Sequence, residues 1–152
     1  MLAFESIVRP LHFLHLIAGL SSVAACVHLL TRLLSRRHDP RIRTHALVLG
    51  VAYLSTYLLG ALIYPTFRVR VRAELLDRHY PWATGLFEIK EHAASIVLIP
   101  VLAIVVLSRV LDPRQDLDRR HVLLLRALTG IVLLVLIYNA SAGWYLGTIR
   151  SV

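Results

Sequence analysis

Four long runs almost free of charge constrain this chain more than anything else in it. They lie at about residues 11–31 (LHFLHLIAGLSSVAACVHLLT), 46–64 (ALVLGVAYLSTYLLGALIY), 93–108 (AASIVLIPVLAIVVLS) and 122–146 (VLLLRALTGIVLLVLIYNASAGWYL). A helix needs roughly 20 mostly apolar residues to cross about 30 Å of hydrocarbon. The third run is short for that, and the fourth carries Arg126 near one end, where a long side chain can snorkel to the head groups. With 57% hydrophobic residues and a mean hydropathy of +0.68, the chain is too apolar for a soluble domain of 152 residues. The expected fold class is therefore all-α. Residues 1–152 form a single transmembrane domain, an integral membrane four-helix antiparallel bundle in contact with the lipid bilayer.

The start of the chain invites another reading, because VAAC ending at Cys26 imitates the cleavage box of a lipoprotein signal. The residues after Cys26 are VHLLTRLLSRR, an apolar helical continuation where a polar tether is expected, and Glu5 accompanies Arg9 where a basic stretch is expected. The first run therefore reads as a span. With one cysteine, no internal disulfide can form.

Topology comes from the short loops. Arg32, Arg36, Arg37, Arg41 and Arg43 crowd one connection, and Arg109, Arg114, Arg119, Arg120 and Arg126 crowd the other on the same side. Cytoplasmic loops carry such an excess of basic residues, which places both termini outside the cytoplasm, in an inner membrane of bacterial type. Trp82, Trp144, Tyr64 and Tyr145 fall at the outer boundary, where amphipathic rings sit. The formal net charge of +8 is explained by topology and anionic head groups, and no aromatic-basic groove accompanies it, so nucleic acid is not an expected partner.

The outer segment, residues 65–90, is the only long connection. Tyr64 and Pro65 are expected to end the second span, residues 67–79 have the composition of a short interfacial helix, and Tyr80, Pro81 and Trp82 break the chain before the third span. At 100° per residue, Glu88, His92, Ser95, Ile99, Leu102 and Val106 share one line on the third helix, which reads as an inward stripe, and Pro100 interrupts it. On the first helix His15, Gly19, Ser22 and Cys26 share a narrow face, with His12 about 60° away. The second helix presents Gly50, Tyr53, Tyr57, Gly60 and Tyr64, and the fourth adds Tyr138, Asn139, Ala142 and Tyr145. His12, His15 and His92 all fall within about two turns of the outer surface.

Two histidines from different helices at one depth, flanked by glycines, form a pattern that resembles four-helix membrane b-type cytochromes. The resemblance covers only these His and Gly positions. It implies haem b held between His92 and either His15 or His12, Gly19 or Gly60 making room for the porphyrin, and electron transfer with a quinone or a membrane protein as partner. A second haem is disfavoured, because His15 and His28 are 13 residues apart and point about 140° from each other. His28, His45 and His121 lie toward the inner side, and with His38 and His79 they read as interfacial hydrogen-bonders.

Two other readings compete with haem. A single metal ion could use His15, Glu88 and His92, although the Glu-x-x-His pairs of di-iron bundles are absent. Arg68, Arg72, Glu88 and Glu91 could instead close an ion-paired outer collar. The chain would then be a non-enzymatic membrane subunit whose arginine-rich outer segment binds anionic lipid or a protein partner. No nucleophile-base pair, phosphate-cradling loop or dinucleotide fingerprint points to an enzyme, and no inverted repeat points to a transporter.

Overall fold

The computed structural model describes residues 2–35, 41–110 and 119–150. Arg36, Arg37, His38 and Arg114, which belong to the inner loops, lie outside the described residues. Helix α1 runs Leu2–Leu34, α2 Ile42–Phe67, a π-helical segment Arg68–Leu76, the single turn α3 Asp77–His79, α4 Pro81–Val110 and α5 Arg119–Arg150. No strand occurs among the described residues. Four stretches are long and apolar enough to cross a membrane: Ile7–Leu34, Ile42–His79, Pro81–Val110 and Arg120–Ile149. This all-helical architecture satisfies backbone polar groups within each segment, as hydrocarbon requires.

α1 packs on α2 and α5, and α4 packs on the same two helices, so α1 and α4 face each other across the bundle. Contacts between α1 and α2 run from His15 beside Gly60 to His28 beside His45, whose rings are 6.4 Å apart. At the His28 end two arginines close the bundle. Arg126 Nε of α5 donates to the Leu33 carbonyl of α1 at 2.7 Å, and Arg43 Nε of α2 donates to the Ser108 carbonyl of α4 at 3.2 Å. The last turn of a helix lacks intrahelical donors for its carbonyls, and each arginine supplies one from a neighbouring helix.

The expectation that Pro65 ends the second span is corrected. Pro65 lies inside α2, and the chain stays helical through Leu76. The proline has no N–H to give the carbonyl four residues back and its ring crowds that carbonyl, and beyond it the hydrogen bonds lengthen in register: the Asp77 amide donates to the Arg72 carbonyl five residues back. That five-residue spacing sets Val71 and Leu76 on the same side, and both are buried. The third span also begins earlier than its apolar run, at Pro81, so the only non-helical residue between Ile42 and Val110 is Tyr80.

Two apolar clusters hold the bundle. The larger joins Cys26, Leu29 and Leu33 of α1, Leu49 and Tyr53 of α2, Val97, Val101 and Ile104 of α4, and Leu125, Val132 and Leu136 of α5. The smaller, at the opposite end, joins Val71, Leu76, Ala83, Phe87 and Leu146, with Phe67 stacked on Phe87 at 4.4 Å between ring centroids. Between them, on every long helix, falls one turn or two of smaller and more polar residues: His15 to Ser22, Thr56 to Gly60, Lys90 to Ala94 and Asn139 to Gly143.

Candidate functional site

The principal site candidates fall in this intermediate layer and in the charged turn above it. His15 sits in the layer, half-buried. Its Nδ1 donates to the Thr56 carbonyl of α2 at 2.9 Å, which leaves Nε2 as an acceptor in the neutral ring. Two turns deeper, the Ser22 hydroxyl donates to the Ala18 carbonyl at 2.8 Å and lies 3.2 Å from the Thr56 hydroxyl, knitting α1 to α2. The small side chains expected to admit a porphyrin are already used. A Cβ at Gly60 would stand 3.2 Å from His15 Cε1, and one at Gly19 would stand 3.8 Å from the Thr56 methyl. Gly60 therefore makes room for the histidine itself.

His92 does not join His15. It is exposed, and its Nδ1 donates to the Glu88 carbonyl of its own helix at 2.7 Å. His12, half-buried, places its Nδ1 3.2 Å from the Val8 carbonyl, likewise within its own helix. The line read as inward on the third span is the outward one: His92, Ser95, Ile99, Leu102 and Val106 are all exposed, Ile99 at 72%. The buried face is Ala83, Phe87, Val97, Val101, Ile104 and Ser108. Helices in lipid are held together by close packing and not by removal of apolar bulk from water, so a bulky apolar stripe is a poor guide to the interior of a membrane bundle.

The residues present therefore do not fit a haem held between His15 and His92. They do not assemble the His15, Glu88, His92 metal set either: among the described residues no three His, Cys, Asp or Glu side chains are grouped as a metal would need.

The collar does form, in part. Arg72, on the π-helical segment, donates through Nη2 to Glu88 Oε1 and lies 3.8 Å from Asp77, whose other oxygen accepts from the Thr84 hydroxyl at 2.7 Å. Glu91 is half-buried and in Coulombic range of Lys90, Arg72, His92 and Glu88. Arg68 is exposed and is not part of this pairing.

Lys90, one of four ionisable groups with Glu88, Glu91 and His92 at the mouth of the third apolar run, had no role of its own in the sequence reading. At 100° per residue it lies within about 40° of Ala94, Val97, Val101, Ile104 and Ser108, on the buried face of α4. Its stem packs over α5, where a Cβ at Gly143 would stand 3.3 Å from Lys90 Cε. Its Nζ is 5.9 Å from the centre of the Phe87 ring. The signal was present in the sequence as a lone cation in phase with the small-residue stripe, but it becomes visible only once that stripe is known to be the interior. One turn before Gly143, Asn139 has a buried Oδ1 with no hydrogen-bond partner.

The chain was compared with protein-family models, curated proteins and solved structures, and it matches none of them.

Proposed function

We propose that this chain is a non-enzymatic integral membrane subunit whose outer end engages anionic lipid head groups. Its four helices run antiparallel in an inner membrane of bacterial type, with both termini outside the cytoplasm. The observation that carries the reading is the Arg72–Glu88 pair, which ties the π-helical segment to α4 while Arg68, Arg70 and Arg78 remain exposed. Beside them Trp82 is 52% and Trp144 74% exposed, and the Trp82 and Tyr145 rings meet at 5.7 Å. Aromatic rings next to arginines are the composition of a head-group layer, where each basic side chain near an anionic surface contributes about 1 kcal/mol.

Native mass spectrometry of the purified chain, after exchange into phosphatidylglycerol or phosphatidylcholine, tests this. Retained phosphatidylglycerol should exceed retained phosphatidylcholine, and the double variant Arg68→Gln with Arg78→Gln should erase the difference. Equal retention of both lipids would reject the lipid reading. If the intact arginines hold another polypeptide through purification and the variant releases it, the partner reading replaces it. Oxidised and dithionite-reduced spectra belong beside this experiment: a Soret band lost in His15→Ala and in His92→Ala would restore haem.

A further inference from the structure

At the end of the bundle closed by Arg43 and Arg126, α1 and α2 bring two histidines together. The ring centroids of His28 and His45 are 6.4 Å apart, with the ring planes tilted by 55°. His45 lies in the first turn of α2, and His28 lies less than two turns before the end of α1, so the pair stands at the water-facing rim. His28 is exposed and His45 half-buried. The His45 ring is held in one orientation. Its Nδ1 donates to the Arg41 carbonyl at 2.7 Å, the same carbonyl that accepts the His45 backbone amide at 3.0 Å. A proton at Nδ1 leaves the Nε2 lone pair free in the neutral ring, and a backbone carbonyl commonly orients a metal-binding imidazole in this way. Among the described residues no hydrogen bond joins the two rings, and the His28 ring makes none of its own.

Distance and donor type together select the ligand. With metal–nitrogen bonds of about 2.0–2.1 Å, two imidazoles that share one ion have centroids roughly 5–6.5 Å apart. The pair stands at the wide end of that range, and the exposed His28 side chain can close the remaining gap by a small rotation. Both ligands are neutral nitrogen, and among the described residues no further His, Cys, Asp or Glu is grouped with them. Arg32 and Arg41 lie one turn from the histidines along the same two helices and add positive charge. Bonding to nitrogen, and not Coulombic attraction, must therefore hold an ion here, which favours zinc, nickel or copper over magnesium or calcium. We infer that His28 and His45 form a two-histidine site for a divalent late transition metal, with water in the remaining positions, and that the bound ion clamps α1 to α2. Because the two ligands meet only when the helices are packed, the ion stabilises the fold.

The test is calorimetric titration of the full chain, free of any added histidines, in detergent with Zn²⁺ and with Mg²⁺, followed by thermal unfolding with and without each ion. Zn²⁺ should bind saturably and raise the unfolding temperature, and Mg²⁺ should do neither. His28→Ala and His45→Ala should each weaken Zn²⁺ binding at least about tenfold, because the second ligand of a chelate acts at high effective concentration. Each should also abolish the thermal shift. His79→Ala and His92→Ala, which remove exposed histidines at the other end of the bundle, should leave binding unchanged. The inference is overturned by heats no larger than those of empty micelles, by equal binding of Mg²⁺, or by a loss shared equally among the four variants, the mark of an adventitious ion on scattered imidazoles. Zn²⁺ binding without a thermal shift overturns the clamp. Should His45→Ala fail to fold, the electron paramagnetic resonance spectrum of the parent chain with Cu²⁺ decides: hyperfine splitting from two imidazole nitrogens, reduced to one in His28→Ala, supports the pair, and a single nitrogen in the parent overturns it.

Discussion

Gly50 is the glycine at which an added side chain would meet its neighbour most closely. A Cβ there would stand 2.7 Å from Val105 Cγ2, closer than side chains pack, so α2 and α4 approach only because residue 50 has no side chain. Gly50→Ala should destabilise the detergent-solubilised protein by about 1–3 kcal/mol, the usual cost of forcing extra methyls into a packed interior. Val105→Ala in the same chain should return most of that loss. Gly130→Ala is the control: nothing lies within 4 Å of its would-be Cβ, and the higher helix propensity of alanine should leave stability equal or up to about 1 kcal/mol greater. Thermal unfolding of the four proteins measures both effects, and equal losses at Gly50 and Gly130 would remove the steric explanation. Asn139 gives the opposite expectation. Replacing a buried, unpartnered amide oxygen with an apolar group of similar size removes a desolvation cost of about 1–3 kcal/mol. Asn139→Leu should therefore be as stable as the parent or more so, which separates a residue kept for binding from one kept for packing.

At the scale of the element, the segment from Arg68 to His79 is tied to α4 by the Arg72–Glu88 pair, the Thr84–Asp77 hydrogen bond and an apolar cluster. The Arg72 and Glu88 side chains are 25% and 46% exposed, so the pair should contribute no more than about 1 kcal/mol. Val71, Leu76 and the stacked Phe67 and Phe87 contribute the apolar remainder. Arg72→Met should raise amide hydrogen exchange across residues 68–79 severalfold and leave α4 beyond Val97 unchanged; protection lost equally in both would mean that the pair supports the whole fold. The sequence made the existence of four spans legible, since each is a run of apolar residues whose length matches the bilayer. It did not reveal how α4 is rotated. In water the bulky apolar stripe would face inward, but in lipid Ile99, Leu102 and Val106 gain nothing from burial, and the face carrying Ala94, Val97 and Val101 packs instead. That rotation moved His92 out and Lys90 in. The helix through Pro65 was hidden for a related reason: proline signals a break, whereas the wider π turns beyond it let the chain continue into a buried contact at Leu76.

For the whole molecule, orientation decides what the Lys90 layer can meet. Lys90 lies nine residues into the thirty of α4, so it opens toward the end that bears the π-helical segment and not toward the end closed by Arg43 and Arg126. Those two arginines donate to helix-end carbonyls, and a basic excess at that end is the kind that orients a chain during insertion, so the proposed topology can be tested at the same end of the bundle. Single cysteines test the assignment, because the natural Cys26 is buried and can be replaced by alanine at the loss of one long sulfur contact to the Thr129 carbonyl. In that background, His79→Cys and Thr44→Cys place exposed thiols at the two ends of Ile42–His79. A membrane-impermeant maleimide applied to intact spheroplasts should label residue 79 at once and residue 44 only after permeabilisation. The reverse pattern would put the arginine-capped end outside and the π-helical segment at the cytoplasmic face.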